Sequence, residues 1–267
     1  MDYASFQSLI YSFYHKNKRD LPWRWIDDPY KILISEVMLQ QTQVSRVTTK
    51  YKEWLKAFPT VESLAQASLR DVLIVWQGLG YNRRGKYLKE AAEKIVKEFG
   101  GRVPDTVEEL IKLPGIGQAT AAAIVAYAFN KPAVFIETNI RSVYLYFFFK
   151  KESHISDKQI TELVEKTLDS DNPRDWYYAL TDYGNMLKNK EKFKNTQSKH
   201  YAKQSKFEGS TRQVRGLILR LLVQRRMVEE KNLIRELKEF TDSPRKILKD
   251  LEKEKLITKV EGYYRVL

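Results

Sequence analysis

Apolar residues recur at three- and four-residue spacing over 3–16, 30–41, 44–57, 61–66, 69–76 and 83–98. That is the period of helices with one face turned to a core. Pro22, Pro29, Pro59, Gly78, Gly80, Gly100 and Gly101 fall between these stretches, where helix-breaking residues belong. Alternating β-type runs are nearly absent before the C-terminus. The pattern predicts an all-α domain over 1–185, with no solenoid repeat.

The end of the chain reads differently. TRQVRGLILRLLVQR (211–225) predicts an amphipathic helix, and 229–239 a second. Ser243-Pro244 opens a third, with Ser as N-cap and Pro at the first helical position. ITKVEGYYRVL then holds two short β-prone runs around Glu261-Gly262, a hairpin signal. Three helices and a hairpin predict a small C-terminal winged helix-turn-helix over 207–267. Such modules commonly place the third helix in a DNA major groove; a protein-docking module gives the same pattern.

Charge narrows the partner. Among 267 residues, 47 are Lys or Arg and 34 are Asp or Glu, a net charge of +13. Residues 1–185 are near balance, with 25 basic and 23 acidic side chains. The stretch 186–206 holds seven Lys and one Glu, and 207–267 holds 15 basic and 10 acidic side chains. An excess gathered after a neutral body favours a polyanion, nucleic acid first. The stretch 186–206 lacks apolar periodicity and reads as a Lys-rich connector, either a solvated linker or a strap on phosphates.

The chain has no cysteine, which excludes disulfides, thiolate zinc sites, iron–sulfur clusters and Cys nucleophiles. With only His15, His154 and His200, no metal site is expected. No apolar run approaches about 18 residues, and the start, MDYASFQSLI, lacks a basic leader followed by an apolar stretch. A cytoplasmic monomer, on the nucleoid when bound to DNA and away from membranes, is the expectation.

Residues 106–129, TVEELIKLPGIGQATAAAIVAYAF, predict a helix ending at Leu113, a tight Pro114-Gly115-Ile116-Gly117 turn and an Ala-rich second helix. The glycines reach backbone conformations closed to other residues. They also leave amide N–H groups bare beside a helix N-terminus, where a phosphate can be held. In a basic protein this pattern points to sequence-independent binding of a DNA backbone.

With these residues in view, the chain resembles the helix-hairpin-helix DNA glycosylase superfamily, and within it the MutY-type adenine glycosylases. The carrying stretches are RDLPWR (19–24), PYKILISEVMLQQTQV (29–44), FPTV (58–61), GLGY (78–81), LPGIGQATA (113–121) and ETNIRSV (137–143). The resemblance implies roles at matching positions. Glu36 falls at the carboxylate that protonates the base, and Glu137 at the second catalytic carboxylate, with Asn139 as its polar helper. Arg19, Leu21 and Trp23 match walls of the base pocket. Gln41 and Tyr81 match residues that wedge into the duplex, while Gly115, Gly117 and Gln118 belong to the phosphate-binding hairpin. The chemistry is coherent: a base is excised only after leaving the stack. A side chain filling the gap holds the stack open, and breaking the glycosidic bond calls for an acid at the base and a carboxylate at the sugar.

Four departures refine the expectation. Glu137 stands where the family has Asp. Ala119 stands where bifunctional relatives carry the Schiff-base Lys, so a monofunctional enzyme without an efficient lyase step is implied. The family's four-cysteine cluster loop would fall near 193–209, in the Lys-rich connector, so no iron–sulfur cofactor is expected. A monovalent cation at the hairpin carbonyls stays open. The domain that reads oxidised guanine is replaced by the winged helix, and Asn82 replaces a Tyr. The implied partner is double-stranded DNA with a mispaired or damaged base, most simply adenine opposite G or 8-oxoguanine. Thymine or uracil opposite G, a damaged purine, or DNA binding without catalysis are the alternatives.

Overall fold

Helices form where the apolar stripes predict them. The computed structural model describes residues 2–150, 152–202 and 206–267. It runs α1 (Tyr3–Asn17), α2 (Pro29–Leu39), α3 (Val44–Ala57), α4 (Val61–Gln66), α5 (Leu69–Trp76) and α6 (Arg83–Phe99). Then follow α7 (Val107–Leu110), α8 (Gln118–Phe129), α9 (Thr138–Phe148), α10 (Asp157–Thr167) and α11 (Pro173–Asn189). The chain ends with α12 (Thr211–Arg225), β1 (Met227–Glu229), α13 (Glu230–Leu237), α14 (Pro244–Lys253), β2 (Ile257–Val260) and β3 (Tyr263–Val266). Side-chain caps fix several starts, such as the Thr60 and Ser156 capping boxes, each satisfying N–H groups the helix cannot.

Two compact units share the chain, and their boundary falls inside α2. One holds the chain up to Glu36, Pro104–Lys112, and the stretch from Ile116 into the connector. Its core is aromatic: the Phe6 ring lies 5.5, 5.0 and 5.8 Å from those of Tyr144, Phe148 and Trp176. Helix α8 is buried continuously from Ala121 to Ala128, as expected of a helix apolar all round. Helices α9 and α11 pack closely because Gly184 has no side chain; a Cβ there would stand 2.3 Å from the Asn139 carbonyl oxygen.

The second unit holds Val37–Val103, Leu113–Gly115 and the C-terminal stretch to Leu267. Trp54 and Trp76 meet edge to face at 5.5 Å. Leu69 and Leu73 of α5 share one buried cluster with Val214, Ile218, Leu222, Leu248, Leu251 and Tyr264. The Arg70 guanidinium donates to the Val223 carbonyl at 2.7 Å across the same seam. The C-terminal segment is therefore cemented onto α5, not hung beyond it.

Four expectations need correction. The expected hairpin forms as β2 and β3 around Glu261-Gly262, but a third strand joins it in an antiparallel sheet of order β1-β3-β2; β1 occupies residues before α13, too short to show a period. Helix α2 stops at Leu39 because Gln41 turns to φ +53°. Helix α7 ends at Leu110, not Leu113: its last turn tightens through Lys112 N–H to the Glu109 carbonyl, and Pro114 disfavours helical geometry before it. Ser243 makes no side-chain cap on α14.

The connector's residues 203–205 lie outside the described residues. Before them, the composition gave no sign of fastening. Yet Asn195 donates to the Thr138 carbonyl at 3.0 Å and accepts from the Ser142 hydroxyl at 2.7 Å. Gln197 donates to the Phe149 carbonyl at 2.8 Å, and Ser198 bridges in parallel with Ile155. Asn195 thus braces the start of α9 and Gln197 its C-cap.

Candidate active site

Glu36 lies on α2 between buried Ile32–Ser35 and buried Val37 and Met38. It makes no hydrogen bond or ion pair with another described residue, and the residue as a whole is only partly buried. Loss of hydration pushes it up to about 8, and the charge of Glu137 adds to the rise. A buried Arg partner, the simplest structural reason for a carboxylate here, is not what is found.

Glu137 is the N-cap of α9. Its Oε1 accepts from the Asn139 and Ile140 backbone N–H groups at 2.9 and 3.1 Å, and Oε2 accepts from Asn139 Nδ2 at 3.2 Å. Burial raises its pKa, and these bonds together with Arg141 offset only part of the rise. The extra methylene relative to Asp is thus used in reaching back to the helix start, and the carboxylate's aim is fixed by three donors. Asn139 supplies two of those three donors.

Two tyrosines that no sequence signal singled out lie near enough to feel the Glu36 charge. Tyr127 of α8 and Tyr178 of α11 stack at 4.5 Å and 12°. Burial is the first cause that raises both phenols, and the Glu36 charge is the second. The Arg24 guanidinium lies 4.5 Å from the Tyr178 ring centroid. Arg24 in turn forks onto Asp182, Nη1 to Oδ2 and Nη2 to Oδ1, both at 2.7 Å.

Burial works against the Asp182 charge, but Arg24 and Arg19 together keep its carboxyl below the ordinary range. Arg19, expected as a pocket wall, gives both its backbone N–H (3.0 Å) and its side chain to Asp182. Trp23 is buried, its carbonyl accepting from the Tyr178 hydroxyl at 3.4 Å, while Leu21 is half-buried. A carboxylate in the otherwise aromatic WYYALTDYG run was the available hint for Asp182.

In the second unit, the two expected wedges have φ of +53° (Gln41) and +46° (Tyr81). Non-glycine residues adopt this region at a cost, and such strain gathers at functional loops. Both are exposed. Buried Arg84 ties their loops together: it donates to the Val37 and Met38 carbonyls at 2.8 and 3.0 Å, to Thr42 Oγ1 at 2.9 Å, and to the Leu79 and Gly80 carbonyls at 3.1 and 3.2 Å. Its burial lowers the guanidinium to about 10.

Of the hairpin glycines, only Gly115 needs to be glycine on backbone grounds, with φ +78° and a Cβ that would fall 2.7 Å from Tyr87 Cβ. Gly117 is extended at φ −90°, caps α8, and has open space where a side chain would be. It leaves the α8 N-terminus bare, with Gln118 and Ala119 exposed on its first turn. No group of three or more His, Cys, Asp or Glu among the described residues could hold a metal ion. The chain has none of the thiolates that an iron–sulfur cluster requires.

The HhH-GPD superfamily of base excision DNA repair proteins matches residues 34–169, and the chain belongs to it. Within that class, it is 35% identical over 186 residues to an adenine DNA glycosylase of Buchnera aphidicola, covering 68% of this chain and 52% of the relative. It is 37% identical over 193 residues to the human adenine DNA glycosylase, covering 68% of this chain and 35% of the relative. The chain thus spans at most about half the length of these two relatives. A solved thermostable thymine-DNA glycosylase superposes with TM-score 0.62 at 29% identity, over 68% of this chain and 85% of that one. A trapped endonuclease III–DNA intermediate shares the fold at TM-score 0.57 and 18% identity.

Proposed function

We propose that this protein is a monofunctional DNA N-glycosylase that flips adenine out of a mispair with G or 8-oxoguanine and releases it by hydrolysis. The observation that carries the reading is the unpaired carboxyl of Glu36, kept protonated near neutrality and coupled to the charge of Glu137. Glu36 gives its proton to a ring nitrogen of the base as the N-glycosidic bond breaks. The bond's electron pair leaves with the neutral base. The Glu137 carboxylate stabilises the cationic sugar, and water adds at C1′ as its proton passes to the Glu36 carboxylate, which restores the acid. Tyr127, Tyr178 and the Arg24–Asp182 pair give the centre a rigid, poorly hydrated wall, which strengthens each charge effect inside it. Ala119 offers no amine, so no Schiff base with the sugar forms and strand scission waits for alkali.

In this reading residues 1–185 carry the chemistry and 186–206 connect them to a winged helix over 207–267. Its α14 exposes Arg245, Lys246, Lys249 and Lys253 on one segment, suited to phosphate contact beside a groove.

A second reading, excision of thymine or uracil opposite G, is supported by the likeness to the thymine-DNA glycosylase. Duplexes carrying A, T or U opposite G, 8-oxoguanine, C or T, treated with alkali after incubation, separate the two. Scission at A alone is expected. Scission at T or U alone selects the second reading, and none at any base rejects both.

A further inference from the structure

Residues 193–197 follow one face of α9 from its first turn to its end. Asn195 Nδ2 donates to the Thr138 carbonyl at 3.0 Å, and Asn195 Oδ1 accepts from the Ser142 hydroxyl at 2.7 Å. The Phe193 ring meets that of Tyr146 edge to face at 5.6 Å, and Gln197 Nε2 donates to the Phe149 carbonyl at 2.8 Å. The four α9 positions are spaced four, four and three apart, the spacing of one helix face. Ordering a polar segment along a helix costs conformational entropy, so what each end secures matters. Gln197 secures the C-cap of α9. Asn195 secures the opposite end, where Glu137 is the N-cap and the Asn139 and Ile140 donors fix its carboxylate. The buried Ser142 hydroxyl also lies 2.8 Å from the Thr138 carbonyl. The next carbonyl, that of Asn139, is closed on by α11 at Gly184. Two successive carbonyls of the turn are thereby met from outside α9.

Resting on the glycosylase reading, we infer that Asn195 is a positioning residue for base release: through the Thr138 carbonyl and Ser142 it fixes the turn that aims the Glu137 carboxylate. The first turn of a helix frays unless something holds it. Glu137 carries one more rotatable bond than Asp, so more freedom must be removed before its carboxylate has a single aim. The donors that remove it all belong to the first turn of α9, and they move when that turn moves. A shift of about 1 Å at a reacting group can cost about 100-fold in rate. Asn195 touches neither the base nor the sugar in this account; its whole effect passes through the backbone beneath Glu137.

Asn195→Ala and Gln197→Ala, made in the whole protein, separate this role from simple fastening. Both residues are half-buried, and each change removes bonds between residues 193–197 and α9, so both variants should fold and melt slightly lower to a similar extent. Single-turnover adenine release at saturating protein reads the chemical step, and affinity for a duplex with a non-cleavable adenosine analogue reads binding. Asn195→Ala is expected to slow release by about tenfold or more at unchanged affinity, while Gln197→Ala releases adenine at the wild-type rate. Amide hydrogen exchange reads the turn without any activity: Asn139 and Ile140 should exchange about tenfold faster in Asn195→Ala alone. Equal slowing in both variants, or wild-type release and exchange in Asn195→Ala, overturns the inference and leaves the glycosylase reading intact. A loss confined to affinity overturns it too, since Asn195 would then serve DNA binding. If the wild type releases no adenine, the excision reading fails, and exchange at Asn139 and Ile140 alone decides whether Asn195 holds the turn.

Discussion

Replacing Glu36 by Gln tests its environment without touching DNA. The wild-type carboxyl titrates near 8 in the folded chain and near its ordinary 4.5 when unfolded. Over that interval the folded state binds a proton that the unfolded state has lost, so stability falls as pH rises from about 4.5 to 8. Each pH unit corresponds to about 1.36 kcal/mol, which sets an upper bound of about 5 kcal/mol. Because Glu36 is partly accessible to solvent, about 2–3 kcal/mol is expected. Gln has nearly the same shape and no charge. Urea unfolding of both proteins at half-unit steps from pH 5 to 9 should give curves that coincide at the acid end. They should separate progressively, with Glu36→Gln the more stable by that amount at pH 8.5. Parallel curves, or a variant less stable at high pH, would refute the claim that Glu36 is an uncompensated buried acid.

Other positions give independent checks. Gly184→Ala forces α9 away from α11, costing about 1–3 kcal/mol; because Glu137 and Asn139 form that turn, base release should fall more than the melting temperature alone explains. Glu137→Gln keeps acceptors for the Asn139 and Ile140 N–H groups but removes the charge, so thermal stability should change by less than about 1 kcal/mol while single-turnover release falls at least 100-fold. Arg84→Lys keeps the charge but loses the fork that gathers five acceptors; stability should fall by at least about 2 kcal/mol and affinity for an abasic duplex with it, while wild-type affinity would show that the Gln41 and Tyr81 loops hold themselves. Replacing Arg245, Lys246 and Lys249 by Gln should reduce the slope of log affinity against log salt by about 2–3 if all three meet phosphates, and an unchanged slope would remove α14 from the DNA interface.

The amphipathic stripes made α1 to α6 readable to within a residue or two, since each needs only local information. Glu36 was legible for the same reason, as the sole charged position in the apolar run ILISEVML. What stayed hidden depends on distant pairing. Arg24 and Asp182 lie 158 positions apart, and neither periodicity nor composition links them. The stack of Tyr127 on Tyr178 arises only when α8 and α11 are packed. The seam of α5 with α12 was equally invisible: Leu69 and Leu73 look like an ordinary helix face until Ile218 and Leu222 cover them. Gly117 was read as a conformational necessity, but its φ of −90° makes its value one of open access at the α8 N-terminus. The lysine-rich composition of the connector suggested solvent, whereas Asn195 and Gln197 fasten it beneath α9.

The central claim is that Glu36 acts as a proton donor coupled to Glu137. The most direct test is single-turnover release of adenine from a duplex with A opposite 8-oxoguanine, followed from pH 5 to 9.5 for the wild type and Glu36→Gln. The wild-type rate should hold through neutrality and decline tenfold per pH unit above about 8, as the acid form is lost, and Glu36→Gln should release no adenine above the uncatalysed rate at any pH. A Glu36→Gln protein that releases adenine at the wild-type rate, with the same pH profile, would contradict it.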